Sequence, residues 1–132
     1  MLSDEVKALL DTPVFVTLVT LNDDGSPQAS PTWVTRDGDD VLISTTEGRR
    51  KERNLRRDPR VSVVVQPCDA PYTYAEIRGR AQLSSERAQE LIDDLSMKYT
   101  GRKYAEFNPA AADDAPRVIV RITPTHITGM GL

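Results

Sequence analysis

The chain has 132 residues, 39% of them apolar and 28% charged, with a mean hydropathy of −0.43. That composition belongs to a single folded domain, 1–132, and excludes a disordered chain; the longest apolar run, Val14 to Leu21, is far short of the roughly 20 residues of a membrane-spanning helix. The formal charge is −3, but Arg49–Arg60 holds seven basic residues against two acidic ones, a local +5 that leaves −8 for the remainder. One cysteine, Cys68, and one histidine, His126, exclude an internal disulfide and a Cys/His metal site. Asp4 and Glu5 stand where an export signal would be basic, so a cytoplasmic location is expected.

Ser3 is placed to cap a short helix carrying Val6, Leu9 and Leu10 on one face, ended by Thr12-Pro13. Val14 to Leu21 is β-branched and apolar and predicts a buried strand. Asn22–Ser26 is hairpin chemistry, after which Gln28 to Thr35 returns with Pro31 inside it. A second turn at Arg36–Asp40 precedes a strand from Val41 to Thr45. Two hairpins so early predict an antiparallel meander. Val61 to Gln66 and Tyr72 to Leu83 read as further strands, the second with Gly79 as a bulge or close contact. Ser84-Ser85 are expected to cap a helix with Ala88, Leu91, Ile92, Leu95 and Tyr99 on one face. Asn108 to Pro116 reads as a loop, Arg117 to Thr123 as an alternating strand, and Pro124 as the lead into a last short strand, His126 to Gly129. Six or seven antiparallel strands with two or three short helices predict a mainly β fold, a small barrel with helices at its ends.

The segment Thr45-Thr46-Glu47-Gly48-Arg49-Arg50-Lys51 carries the strongest chemical signal. A strand ends in hydroxyls, a glycine turns the chain, and a helix begins with cations in its first turn. Unpaired N–H groups at a helix start, two hydroxyls and two cations suit a phosphate. The same spacing also fits a solvated basic helix, with Arg49, Arg53 and Arg56 as its water-facing stripe. Nucleic acid is disfavoured, because no aromatic residue interleaves the run and the rest of the chain is acidic. Trp33 follows a proline-interrupted strand and is either core or ligand-facing. Tyr72, Tyr74, Glu76 and Arg78 share one face of the long strand. No P-loop or dinucleotide fingerprint occurs, and no side-chain acid, base or nucleophile is indicated as catalytic.

Taken in order, Gly25–Trp33 (GSPQASPTW), Ile43–Lys51 (ISTTEGRRK), Asn54–Ser62 (NLRRDPRVS), Tyr72–Ala81 (YTYAEIRGRA) and Arg117–Pro124 (RVIVRITP) resemble the split β-barrel flavin and deazaflavin proteins, relatives of pyridoxamine 5′-phosphate oxidase. The resemblance covers nearly the whole chain and is strongest to the actinobacterial branch that uses the deazaflavin coenzyme F-420. It implies an FMN-binding-type split barrel and a homodimer with cofactor sites shared between subunits. It also implies an oxidoreductase that passes a hydride from reduced coenzyme F-420 to an electron-poor small organic molecule. FMN dependence on the same scaffold, or a non-catalytic carrier of either coenzyme, is the alternative.

By the same resemblance Ser44, Thr45, Thr46, Arg50 and Lys51 would hold the coenzyme phosphate, with Asn54 beside it. Ser30, Pro31, Thr32 and Trp33 would run along the ring, and Tyr74 and Arg78 would come from the partner subunit. The oxidase's own terminal Arg-Leu-x-Pro motif has no counterpart in Thr125–Leu132, which points away from vitamin-phosphate oxidation.

Overall fold

The computed structural model describes residues 1–132. Helix α1 (Asp4–Leu10) is capped by Ser3, whose hydroxyl accepts from the Val6 N–H at 3.2 Å. Strands β1 (Val16–Leu21), β2 (Pro27–Thr32), β3 (Thr35–Asp37) and β4 (Asp40–Thr46) follow, then helix α2 (Arg50–Arg57) and strands β5 (Arg60–Val65) and β6 (Tyr74–Ser84). Helices α3 (Ala88–Thr100) and α4 (Tyr104–Phe107), a 3-10 turn (Pro109–Asp113) and strand β7 (Arg117–Met130) complete the chain. No helix is long and apolar enough to cross a membrane.

All seven strands form one antiparallel sheet in the order β2-β1-β5-β6-β7-β4-β3. The two edge strands, β2 and β3, are separated in sequence only by Trp33 and Val34. Three residue steps reach at most roughly 10–11 Å, so the sheet must curl until its edges nearly meet. The result is a split β-barrel whose seam is the Trp33–Val34 link. Alternate residues point inward: Val16 and Leu18, Val61, Val63 and Val65, Ala75 and Ile77, Val120 and Ile122, Val41 and Ile43 share one core, which Leu2, Val6 and Leu10 around α1 and Leu55 of α2 complete. Leu42, pointing outward, packs under Leu91, Ile92 and Leu95 of α3.

Four local expectations are corrected. β7 does not break at Pro124 but continues through it, because Pro124 pairs with Gly79 where the β6–β7 register slips. Arg78 faces His126 and Gly79 faces Pro124, so Thr125 is the extra, bulged residue and the missing proline N–H falls where the ladder is already interrupted. Neither Ser84 nor Ser85 caps α3: β6 runs on through Ser84, and Arg87 is the N-cap residue in a left-handed conformation without a side-chain cap. The stretch read as a single returning strand, Gln28 to Thr35, is instead β2 and the start of β3, parted at the seam. Pro109–Asp113 in the expected loop forms a 3-10 turn.

The bulge explains why position 79 is glycine. A Cβ there would lie 2.3 Å from the Thr123 carbonyl oxygen, a backbone atom that cannot swing aside. Gly79→Ala is therefore expected to cost about 3 kcal/mol of stability, the upper range for overpacking. Urea unfolding checks it, and a midpoint equal to that of the unsubstituted protein would contradict the close approach.

Candidate functional site

β3 pairs with β4 only from Asp40 to Leu42, which leaves Ser44, Thr45 and Thr46 without a strand on the seam side. Opposite them lie Pro31 and Thr32 at the end of β2. Between the two opens a cleft of about 280 Å³, lined by Pro31, Thr32, Trp33, Ser44 and Thr45 and closed below by Ile92 and Leu95 of α3. Arg49 and Lys51 enter it from the start of α2, and Arg117 from the start of β7. Phe15, Trp33, Tyr104 and Phe107 form its aromatic wall, with the Trp33 ring 5.5 Å from Phe107 and 6.4 Å from Tyr104. No Asp, Glu, His or Cys lines it, in a chain whose net charge is −3.

The local sequence accounts for this geometry. Gly48, at φ +86°, turns the chain out of β4. Its N–H donates to the buried Glu52 carboxylate at 2.9 Å, and Arg56 also bonds that carboxylate, so the acid in the first turn of α2 is already committed. Arg49 is the N-cap of α2 and supplies no side-chain cap, leaving the helix's first N–H groups open to an external acceptor. Neither Arg49 nor Lys51 has a salt-bridge partner. Burial, and then the neighbouring Arg49 charge, lowers the Lys51 pKa below the ordinary lysine value. The Thr45 hydroxyl is buried without any hydrogen-bond partner. An unbonded hydroxyl, an uncapped helix start and two unpaired cations fit an oxyanion such as a phosphate.

The sequence expectations divide here. Pro31, Thr32, Trp33, Ser44, Thr45 and Lys51 come together in the cleft. Thr46 is buried and does not line it, and Ser30 lies one residue outside with a buried, unbonded hydroxyl of its own. Arg50 points elsewhere, into a separate recess with Asn22, Asp23, Asp24 and Gln28, while Arg49, read as water-facing, lines the cleft. Asn54 is fully buried, and its amide donates to Thr20 Oγ1 and Asn22 Oδ1, each at 3.0 Å, tying α2 to the first hairpin. Tyr74 and Arg78 sit on the exposed face of β6, outside this chain's cleft, with Arg78 Nε donating to Glu76 at 3.0 Å.

Sequence reasoning missed Arg117, Tyr104 and Phe107. Arg117 donates to Tyr104 Oη at 2.7 Å and to Ser44 Oγ at 3.4 Å, with its guanidinium 4.6 Å from the centre of the Tyr104 ring. On an alternating strand it looks like any wet-face arginine. The Tyr104-x-x-Phe107 spacing ahead of the Ala/Asp/Pro stretch was the available sign of a second aromatic wall.

A profile of the family described as pyridoxamine 5′-phosphate oxidase matches residues 2–131. The chain belongs to that family. Among solved structures, an F-420 reductase shares 30% identity at a TM-score of 0.82, covering 96% of this chain and 98% of its own. A conserved hypothetical protein of Mycobacterium tuberculosis shares 26% identity at a TM-score of 0.78, covering 98% of this chain and 84% of its own. General stress protein 26 of Bacillus anthracis, 16% identical with a TM-score of 0.70 over 96% of this chain and 91% of its own, speaks for the fold alone. Together these support a flavin- or deazaflavin-related oxidoreductase.

An unbonded buried hydroxyl is a cost that an apolar isostere removes. Thr45→Val is therefore expected to raise the stability of the free protein by about 1 kcal/mol. Thermal unfolding without ligand checks this, and a lower midpoint would mean that the hydroxyl already has a partner.

Proposed function

We propose that the protein is an oxidoreductase in which reduced coenzyme F-420 delivers a hydride to an electron-poor small organic molecule. The observation that carries this reading is the cleft itself, in which unpaired cations and an unbonded hydroxyl lie under an aromatic wall with no carboxylate among the lining residues. The 30% identity with an F-420 reductase over nearly the whole of both chains supports the choice of coenzyme. When bound, the deazaflavin supplies the hydride chemistry.

The chain's own residues do the rest. Ser44 and Thr45 offer hydroxyl donors to the phosphate, and Arg49 and Lys51 neutralise it. An anion beside Lys51 favours its charged form and reverses the effect of burial. Pro31 and Thr32 bound the cleft on the β2 side. Trp33, Tyr104 and Phe107 offer stacking faces and keep water from the ring. Arg117, bonded to Ser44 and 3.9 Å from the Asp114 carboxylate, brings a further guanidinium to the cleft that favours anionic groups on coenzyme or substrate. The residues named here bind and orient the coenzyme and exclude water.

About 280 Å³ lies at the lower bound of ordinary ligand sites, roughly 300–1,000 Å³. We infer that a second copy completes the enclosure as a homodimer, with Tyr74 and Arg78 on the exposed β6 face reaching the neighbouring cleft.

Calorimetric titration with coenzyme F-420 and with FMN tests the reading, followed by turnover with a coenzyme-reducing enzyme and a nitroaromatic or quinone acceptor. Coenzyme F-420 is expected to bind more tightly and to turn over. Lys51→Ala and Arg49→Ala should each weaken binding by about 1.5–3 kcal/mol, and Arg50→Ala by less than about 0.5 kcal/mol. Tighter binding of FMN would move the protein to the flavin branch. Tight binding without turnover would make it a carrier.

A further inference from the structure

Trp33 and Val34 belong to no strand, yet Val34 is wholly buried, so its backbone groups need partners that the sheet does not provide. Helix α3 provides both. The Val34 N–H donates to Tyr99 Oη at 3.0 Å, and Lys98 Nζ donates to the Val34 carbonyl at 2.6 Å. The Tyr99 hydroxyl in turn donates to the Val14 carbonyl, just before β1. Its ring stacks on Trp33 at 5.1 Å and 9°, and meets Phe15 at 5.6 Å and 53°. Phe15 and Trp33 line the cleft, whereas Tyr99 does not. Tyr99 thus braces two walls of the site from behind, and its hydroxyl bridges the two chain segments that carry them.

We propose that Tyr99 is a positioning residue. It fixes the plane of the Trp33 indole at the barrel seam, so that a flat ring meets a stacking surface already in place. The proposal rests on the reading above that the cleft takes a flavin-like ring, and it adds a residue that touches no ligand. A wall held in place loses less freedom when a ligand arrives. Lys98 assists from the same turn of α3, its ammonium 5.2 Å from the Tyr99 ring and bonded to the carbonyls of Val34 and Leu10.

Trp33 is the only tryptophan, so its fluorescence reports the wall directly, with or without ligand. The test uses full-length Tyr99→Phe, Trp33→Phe and the double variant, titrated with coenzyme F-420, FMN and inorganic phosphate. In the free protein Tyr99→Phe should lower the Trp33 anisotropy. It should weaken binding of the better coenzyme about 5–10-fold with the Trp33 wall present and less than about twofold in Trp33→Phe, leaving inorganic phosphate binding unchanged. Should Tyr99→Phe melt too low to titrate, Lys98→Met takes its place with the same expected directions. Unchanged anisotropy, or equal losses in both backgrounds, would overturn the positioning role. A wild-type protein that binds inorganic phosphate but neither coenzyme would instead overturn the functional reading, and the role toward a ring with it.

Discussion

A seven-stranded sheet whose edge strands are joined by two residues has to curl, and it cannot close completely. β3 covers only the first three residues of β4, so Ser44 to Thr46 stay open on the seam side. The cleft is the direct consequence: strand ends on both sides, a helix start above, and aromatic side chains filling the gap where ladder hydrogen bonds stop. The seam also dictates the role of α3, because Val34 is buried where no strand can satisfy it and Lys98 and Tyr99 must do so. Barrel closure and site construction are therefore one event in this fold, and the core residues that curl the sheet are also those that place the site.

Within that opening the electrostatics are lopsided. No acidic residue lines the cleft of a chain with net charge −3, and Glu52, in the first turn of α2, is tied to Gly48 and Arg56. Lys51 and Arg49 both line the cleft without a salt-bridge partner, and burial first, then the Arg49 charge, lowers the Lys51 pKa. In the proposed function, an anion arriving here would favour the charged form of Lys51 and offset its burial, in addition to making new bonds. The unbonded Thr45 hydroxyl belongs to the same arrangement.

Much of the fold was legible because the sheet writes itself in β-branched alternation and hairpin glycines. Gly79 reads as a bulge or close contact from sequence, yet its partner Pro124 reads as the lead into a separate strand, since only the tertiary pairing shows that the proline's missing N–H falls where the ladder is interrupted. Half of the site was legible for a similar reason: Ser44, Thr45 and Lys51 lie within one turn of a strand-to-helix junction whose chemistry is local. Arg49 lines the cleft while Arg50 lies in a separate recess, because Arg49 is the extended N-cap residue and helical spacing counted from Arg50 does not place it. Arg117, Tyr104 and Phe107 are brought to the cleft by long-range contacts that no short motif encodes. Asn54 shows the converse case, a residue in a recognisable motif whose amide donors are spent holding α2 to the first hairpin.

The central claim, that the cleft is a prepared and unpaired cationic site, is tested most directly by the titration of Lys51 itself. Carbon-13 labelling at the lysine ε position, with Lys51→Arg to assign the signal, gives its pKa by NMR in the free protein and with FMN or coenzyme F-420 bound. The account predicts a free-state pKa below the ordinary lysine value and a rise when either phosphate-bearing ligand binds, because an anion favours the ammonium form. A Lys51 that titrates like an exposed lysine and does not move when ligand binds would contradict it.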